Sequence, residues 1–175
     1  MRTSCLSLLS FLFFASTVGA AEIRDANRLL RVSNVASQFE SMTLLQTRNI
    51  IRTYSSIVAM SADVELPQWI KKEIAACYAQ AFAWKKFEDG IAQILLDNFS
   101  KDEMSLLTDF YRSEGLPPTE IPNFKAAIAK GEMIQQLSAD YIYANSEGCA
   151  EHDIDLILGF LADPQLKRDN TLAAE

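Results

Sequence analysis

Apolar residues recur every three or four positions along most of the chain, the spacing that lays them on one face of a helix. Glu22 to Val32 sets Ile23, Leu29, Leu30 and Val32 among charges. Ser33 and Asn34 interrupt this stretch and offer caps to the next helix. From Val35, the residues Phe39, Met42, Leu45, Ile50, Tyr54, Ile57 and Met60 predict a long helix whose stripe is irregular near its middle. Ser61 to Leu66 reads as a loop. Pro67 fits the first position of another helix, where a missing amide costs nothing. That helix is predicted to bury Ile70, Ile74, Cys77, Tyr78, Ala81 and Phe82.

Trp84, Phe87, Ile91, Leu95 and Phe99 continue at helical spacing, with Gly90 as a weak point for a kink. Ser100 followed by Glu103 is a capping box. In it the Ser100 hydroxyl accepts from the Glu103 amide, and the Glu103 carboxylate reaches back to the Ser100 amide. Phe99 and Met104 stand where a hydrophobic staple would fix the entering chain. Met104, Leu107, Phe110 and Tyr111 then predict a single apolar face. Gly115, Pro117, Pro118 and Pro122 make a rigid turn region. After it, Phe124, Ala127, Ile128, Gly131, Ile134, Leu137 and Tyr141 predict one helix of about twenty residues, ended by Asn145-Ser146-Glu147-Gly148. Glu151 to Leu161 predicts a last helix that echoes the capped one at an offset of 50 residues: Glu103, Met104, Leu106, Leu107 and Phe110 align with Asp153, Ile154, Leu156, Ile157 and Phe160. The echo reads either as two similar helix pairs or as the common look of amphipathic helices. No segment alternates with period two for long enough to make a strand. The expectation is an all-α, single-domain bundle of six or seven amphipathic helices.

The stretch Asp102-Glu103-Met104-Ser105-Leu106-Leu107-Thr108-Asp109-Phe110-Tyr111-Arg112-Ser113 resembles the hallmark of a bacterial envelope family, the domain of unknown function 2059. In that family a helix ends in Phe-Tyr-x-Ser-Pro-x-Gly. This chain departs from the pattern after Ser113, continuing Glu114-Gly115-Leu116-Pro117-Pro118 with no proline directly after the serine. The resemblance, with its flanking helices, covers residues 65 to 147. It implies a signal peptide, an all-helical domain and a place in the cell envelope, and it implies no reaction.

Composition adds a compartment. The 175 residues are 49% hydrophobic and 22% charged, which is globular and large enough for one real core. Residues 1–20 read as a leader: Arg2 gives a positive start, Leu6 to Ala15 an apolar run, and Val18-Gly19-Ala20 a cleavage site. The run is short for a membrane span, and nothing later replaces it. A helical domain over 21–164 and a polar tail over 165–175 complete the expected organisation. Cleavage removes Arg2, the leader's only charge, and takes the net charge from −7 to −8. That acidity argues against nucleic acid as a partner. Cleavage also removes Cys5, leaving Cys77 and Cys149. An even pair in an exported chain suggests a disulfide, and two buried free thiols are the alternative.

Little in the sequence carries catalytic chemistry. His152 is the only histidine and sits in a first helical turn, where a solvated side chain explains it. Zinc draws three or four ligands from His, Cys and carboxylates, and no such set is apparent. There is no Gly-x-Ser-x-Gly and no Cys-x-x-Cys. Asp102, Glu103 and Asp109 are accounted for by the cap and the helix dipole. Tyr111 and Arg112, at a helix end, suit either a carboxylate or phosphate ligand or an ordinary core tyrosine with an arginine favoured at a helix C-terminus. Aromatic residues crowd the middle third and either fill the core or enclose an apolar pocket. The reading is a non-enzymatic protein without cofactor or metal. It is expected to act either as a periplasmic protein-interaction module or as a carrier for an apolar small molecule such as a fatty acid. Trp84, Phe87, Phe110, Tyr111 and Arg112 are the candidate contacts.

Overall fold

The computed structural model describes residues 17–166, and side chains from residue 22 onward. Residues 1–16 of the predicted leader, with Cys5, and residues 167–175 of the predicted tail lie outside the described residues. Among the described residues there are eight α-helices and no strand: α1 (Thr17–Val32), α2 (Val35–Ala62), α3 (Gln68–Ala81), α4 (Trp84–Asn98), α5 (Lys101–Tyr111), α6 (Ile121–Ala129), α7 (Gly131–Asn145) and α8 (Ala150–Ala162). A single 3-10 turn, Pro118–Glu120, precedes α6. The all-α expectation holds. Helix α1 runs through the predicted cleavage point, so removal of residues 1–20 would trim its first turn and leave its buried Ala26, Leu29 and Leu30 in place.

The apolar residues form two clusters. In the larger, Ala26, Leu29 and Leu30 of α1 meet Phe87, Ile91, Ala92 and Leu95 of α4, Met104 and Leu107 of α5 and Ala127 of α6, with Tyr141 and Ile142 of α7 against them. The smaller joins Val58 of α2, Leu66 of the segment before α3, Ile70 and Ile74 of α3, and Phe160 of α8. Helix α2 has 28 residues, about 42 Å at 1.5 Å per residue. It is longer than either cluster, touches the first through Phe39 and the second through Val58, and spans the interval between them. This corrects the stripe expected on α2. Met42, Leu45, Ile57 and Met60 are exposed, and between Phe39 and Val58 only Thr47 is buried.

Local signals in the sequence come through well. In the capping box the Glu103 amide donates to Ser100 Oγ at 3.2 Å and the Ser100 amide to Glu103 Oε2 at 2.8 Å. Phe99 and Met104 are both buried in the larger cluster. Pro67, expected as the first helical residue, stands one position earlier, as the N-cap of α3 with extended backbone. Asn34 does not cap with its side chain; it turns the chain with φ 56°, and Ser33 Oγ instead donates back to the Leu29 carbonyl at 2.8 Å.

Three longer-range expectations fail. The face predicted on α5 is buried only at Met104 and Leu107, whereas Phe110 and Tyr111 are exposed. There the chain leaves the core through left-handed residues at Ser113 (φ 63°) and Gly115 (φ 79°). The predicted twenty-residue helix is two helices, broken at Lys130 before Gly131. The echo between α5 and α8 does not extend to environment: Met104 is buried where Ile154 is exposed, and Phe110 exposed where Phe160 is buried. The two helices turn different faces inward and join different clusters, so they do not make equivalent pairs.

Gly90 is a close approach, and α4 runs through it unbroken. A Cβ at residue 90 would overlap the ring of Tyr141 on α7. Tyr141 is itself set edge-on to Phe87 at 6.5 Å. Gly90→Ala is therefore expected to lose up to about 2 kcal/mol despite the better helix former, since overpacking costs roughly 1–3 kcal/mol and the propensity gain is about 1. Urea unfolding measures this, and a variant more stable than the parent would show that α7 yields freely at that point.

Candidate functional site

The ends of several helices converge where α4 turns into α5. Lys130, at the α6–α7 break, donates through Nζ to the Asn98 carbonyl at 2.9 Å and to Glu103 Oε2 at 2.8 Å. The ammonium also stands 5.4 Å from the centre of the Phe99 ring. One side chain thus satisfies a carbonyl left over at the end of α4 and pairs with the carboxylate that caps α5. The Lys130 hydrogen bond, with the Ser100 amide adding to it, holds the Glu103 carboxyl below its ordinary range. The sequence marked Glu103 and carried no sign of Lys130, because the bond joins residues 27 apart.

Beside this junction lies an open apolar groove of about 230 Å³. Leu29 and Leu30 of α1 and Val35 of α2 line it together with Leu95, Phe99, Leu107 and Tyr111. Ala127, Ile128, Gly131 and Ile134 complete the apolar lining. Ser33 and Gln38 are its polar lining residues.

Of the candidate contacts, only Tyr111 reaches the groove. Trp84 and Phe87 are core residues, 9% and 0% exposed, with Phe39 set 5.7 and 5.8 Å from their rings, and so are not available to a ligand. Phe110 packs on Tyr111 at 5.5 Å and on Phe124 at 4.6 Å along the outside of α5 and α6. Arg112 faces Glu114, Nη1 to Oε1 at 3.7 Å, and does not combine with Tyr111 into an anion site. Cys77 and Cys149 form the expected disulfide, with Cα atoms 6.0 Å apart, joining the middle of α3 to the residue before α8.

One turn after that disulfide is a group the sequence did not single out. Asp153 is completely buried, and neither carboxylate oxygen has a hydrogen-bond partner. Its backbone amide donates to the Cys149 carbonyl, so the disulfide and the first turn of α8 together carry it inward. Tyr54 of α2 and Tyr78 of α3 bring their hydroxyls to it without completing well-formed bonds, and His152 Nδ1 stands 3.7 Å from Oδ1. Burial raises the Asp153 carboxyl above its ordinary range, while Tyr78, His152 and Tyr54 pull the other way. Tyr78 is in turn pushed up by burial and by the neighbouring carboxylate. Tyr54 shifts in the same direction for the same reasons. In sequence Asp153 looks like any acid in a first helical turn, so nothing there sets it apart.

An acid whose folded pKa is raised has no penalty while both states are protonated. Stability is lost as pH climbs from the unfolded carboxyl's range, near 4, through the folded one, and the penalty then stays constant. Asp153→Asn removes it. The variant is expected to exceed the parent by about 1 kcal/mol or more at pH 7, in line with the cost of an unmet buried group, and to match it near pH 3. Paired urea curves at the two pH values test this. An Asn variant weaker than the parent at pH 7 would mean that the carboxylate holds the fold together.

No protein-family model, curated protein or solved structure matches the chain. Among the described residues no helix is long and apolar enough to cross a membrane. Nor do any three His, Cys, Asp or Glu side chains among them gather as metal ligands would.

Proposed function

We propose that this chain is an exported, non-catalytic helical scaffold of the bacterial envelope that works by binding a partner protein. The observation that carries the reading is the display of large apolar side chains on α2. Met42, Leu44, Leu45 and Ile57 are each more than half exposed, and Met60 is 81% exposed. Such a concentration on one element marks a surface that another molecule covers. A disulfide in the domain and the leader-like start of the chain support an oxidising compartment, the periplasm or beyond. The resemblance of residues 102–113 to an envelope family points the same way.

The groove at Tyr111 favours a second reading, a carrier of an apolar small molecule. Size decides against it as the first choice: drug-sized ligands occupy about 300–1,000 Å³, and the groove offers about 230 Å³. That volume suits the anchoring side chain of a partner better than the length of a fatty acid. Gentle purification from the native host, followed by mass spectrometry of co-purifying proteins and of an organic extract, separates the two. A specific partner that Leu45→Glu releases while ellipticity is unchanged supports the scaffold. A single lipid at near-equimolar amount, with no protein partner, overturns it.

A further inference from the structure

We propose that a surface hollow between α2 and α3 binds a small organic monocation, an alkylammonium, with Tyr54 and Tyr78 as its walls and Asp153 as the charge behind them. The hollow measures about 330 Å³ and is lined by Asn49, Ile50, Thr53, Tyr54 and Tyr78. Asp153 does not line it; the carboxylate lies on the far side of the two tyrosines, sealed from solvent and without a hydrogen-bond partner.

Three features select the ligand class. A sealed carboxylate that the neighbouring hydroxyls reach without a well-formed hydrogen bond is a cost unless something of opposite charge comes near, and buried polar groups of this kind call for a partner. His152, its neighbour on α8, is half exposed at 3.7 Å, and from α2 and α3 only the neutral hydroxyls of Tyr54 and Tyr78 face the carboxylate. Secondly, the charge is single. Among the described residues Asp153 belongs to no group of three His, Cys, Asp or Glu that could hold a metal, so the site lacks the six or more oxygens that calcium or magnesium requires. Thirdly, the walls are aromatic, and tyrosine faces attract ammonium groups, while Ile50 and the methyl of Thr53 suit an alkyl stem. A tyrosine hydroxyl turned toward Asp153 offers its proton there and presents lone pairs outward, which again fits a donor. The titrating groups that face the carboxylate are Tyr54 from α2, Tyr78 from α3 and His152 from α8. The first two stay protonated at neutral pH, so affinity follows the ionisation of Asp153.

The test is calorimetric titration of the intact, oxidised protein with n-butylammonium chloride at neutral pH, against sodium chloride at matched ionic strength. The expected result is saturable binding that weakens tenfold or more in Asp153→Asn and falls as pH is lowered toward 4. Asp153→Asn relieves a buried charge, and its circular dichroism is compared with the parent's to check that it folds. Tyr54→Leu, which removes an aromatic wall and leaves the carboxylate, is expected to weaken binding by a similar factor. The proposal is overturned by absence of saturable binding, by equal affinity in Asp153→Asn, or by an equal response to sodium chloride.

Discussion

Reduction of the Cys77–Cys149 bond, or replacement of both cysteines by alanine, is expected to destabilise the fold by about 4 kcal/mol, the chain-entropy cost of releasing a loop this long. The two cysteines lie 72 residues apart, and the loop between them contains α4 to α7, most of the larger cluster. The bond is also the firmest tie between α8 and the rest. Beyond it, α8 is held chiefly by Phe160, which is 1% exposed against Ile70 and Ile74. At 2–4 °C per kcal/mol for a chain of this size, the thermal midpoint should fall by roughly 8–16 °C. Ellipticity melts with and without a phosphine reductant measure the shift, and a midpoint moved by less than a degree or two would show α8 to be held by packing alone. Asp153 lies one helical turn after Cys149 and donates its amide to the Cys149 carbonyl, so the gain from Asp153→Asn should shrink in the cysteine-free protein. That coupling is what a double-mutant cycle detects.

Phe87→Ala is expected to cost about 3–5 kcal/mol, the range for deleting a buried phenylalanine. This is about a fifth or more of a typical domain's stability. The ring is 0% exposed and sits among Phe39, Phe82 and Tyr141, with centroids 5.8, 6.5 and 6.5 Å away. It therefore fastens α4 to the start of α2, the end of α3 and the middle of α7. Phe110→Ala makes the contrast. That ring is 43% exposed, touches Tyr111 and Phe124, and should cost about 1 kcal/mol. Denaturant midpoints of the two variants rank them directly. If Phe110→Ala proved the costlier, the assignment of α5's outer face to solvent would be wrong.

The two phenylalanines mark where reading along the chain stops being informative. Both lie on amphipathic helices at core-like spacing, and both were candidate contacts. Periodicity says which side chains share a face; it does not say how far the neighbouring helix reaches to cover that face. On α2 the stripe from Phe39 to Met60 is real, yet α2 outruns both clusters and leaves Met42 and Leu45 in the open. On α5 the chain departs after Tyr111, so the second half of the face has nothing to pack on.

The sequence by itself determined what depends on residues within four positions of one another. Helical hydrogen bonds, the Ser100–Glu103 box and the placement of Pro67 before α3 are all short-range, and each is present as its residues dictate. The disulfide was legible too, because Cys77 and Cys149 are the only cysteines after the stretch read as a leader. Only the tertiary structure decided which groups distant in sequence meet. It set Lys130 on the Asn98 carbonyl and Glu103, fitted Tyr141 over Gly90, and carried Asp153 from an ordinary first turn to a sealed position behind Tyr54 and Tyr78. The reason is physical: a side chain's local spacing sets its direction from the helix axis, while its burial and charge state depend on which other helices arrive there.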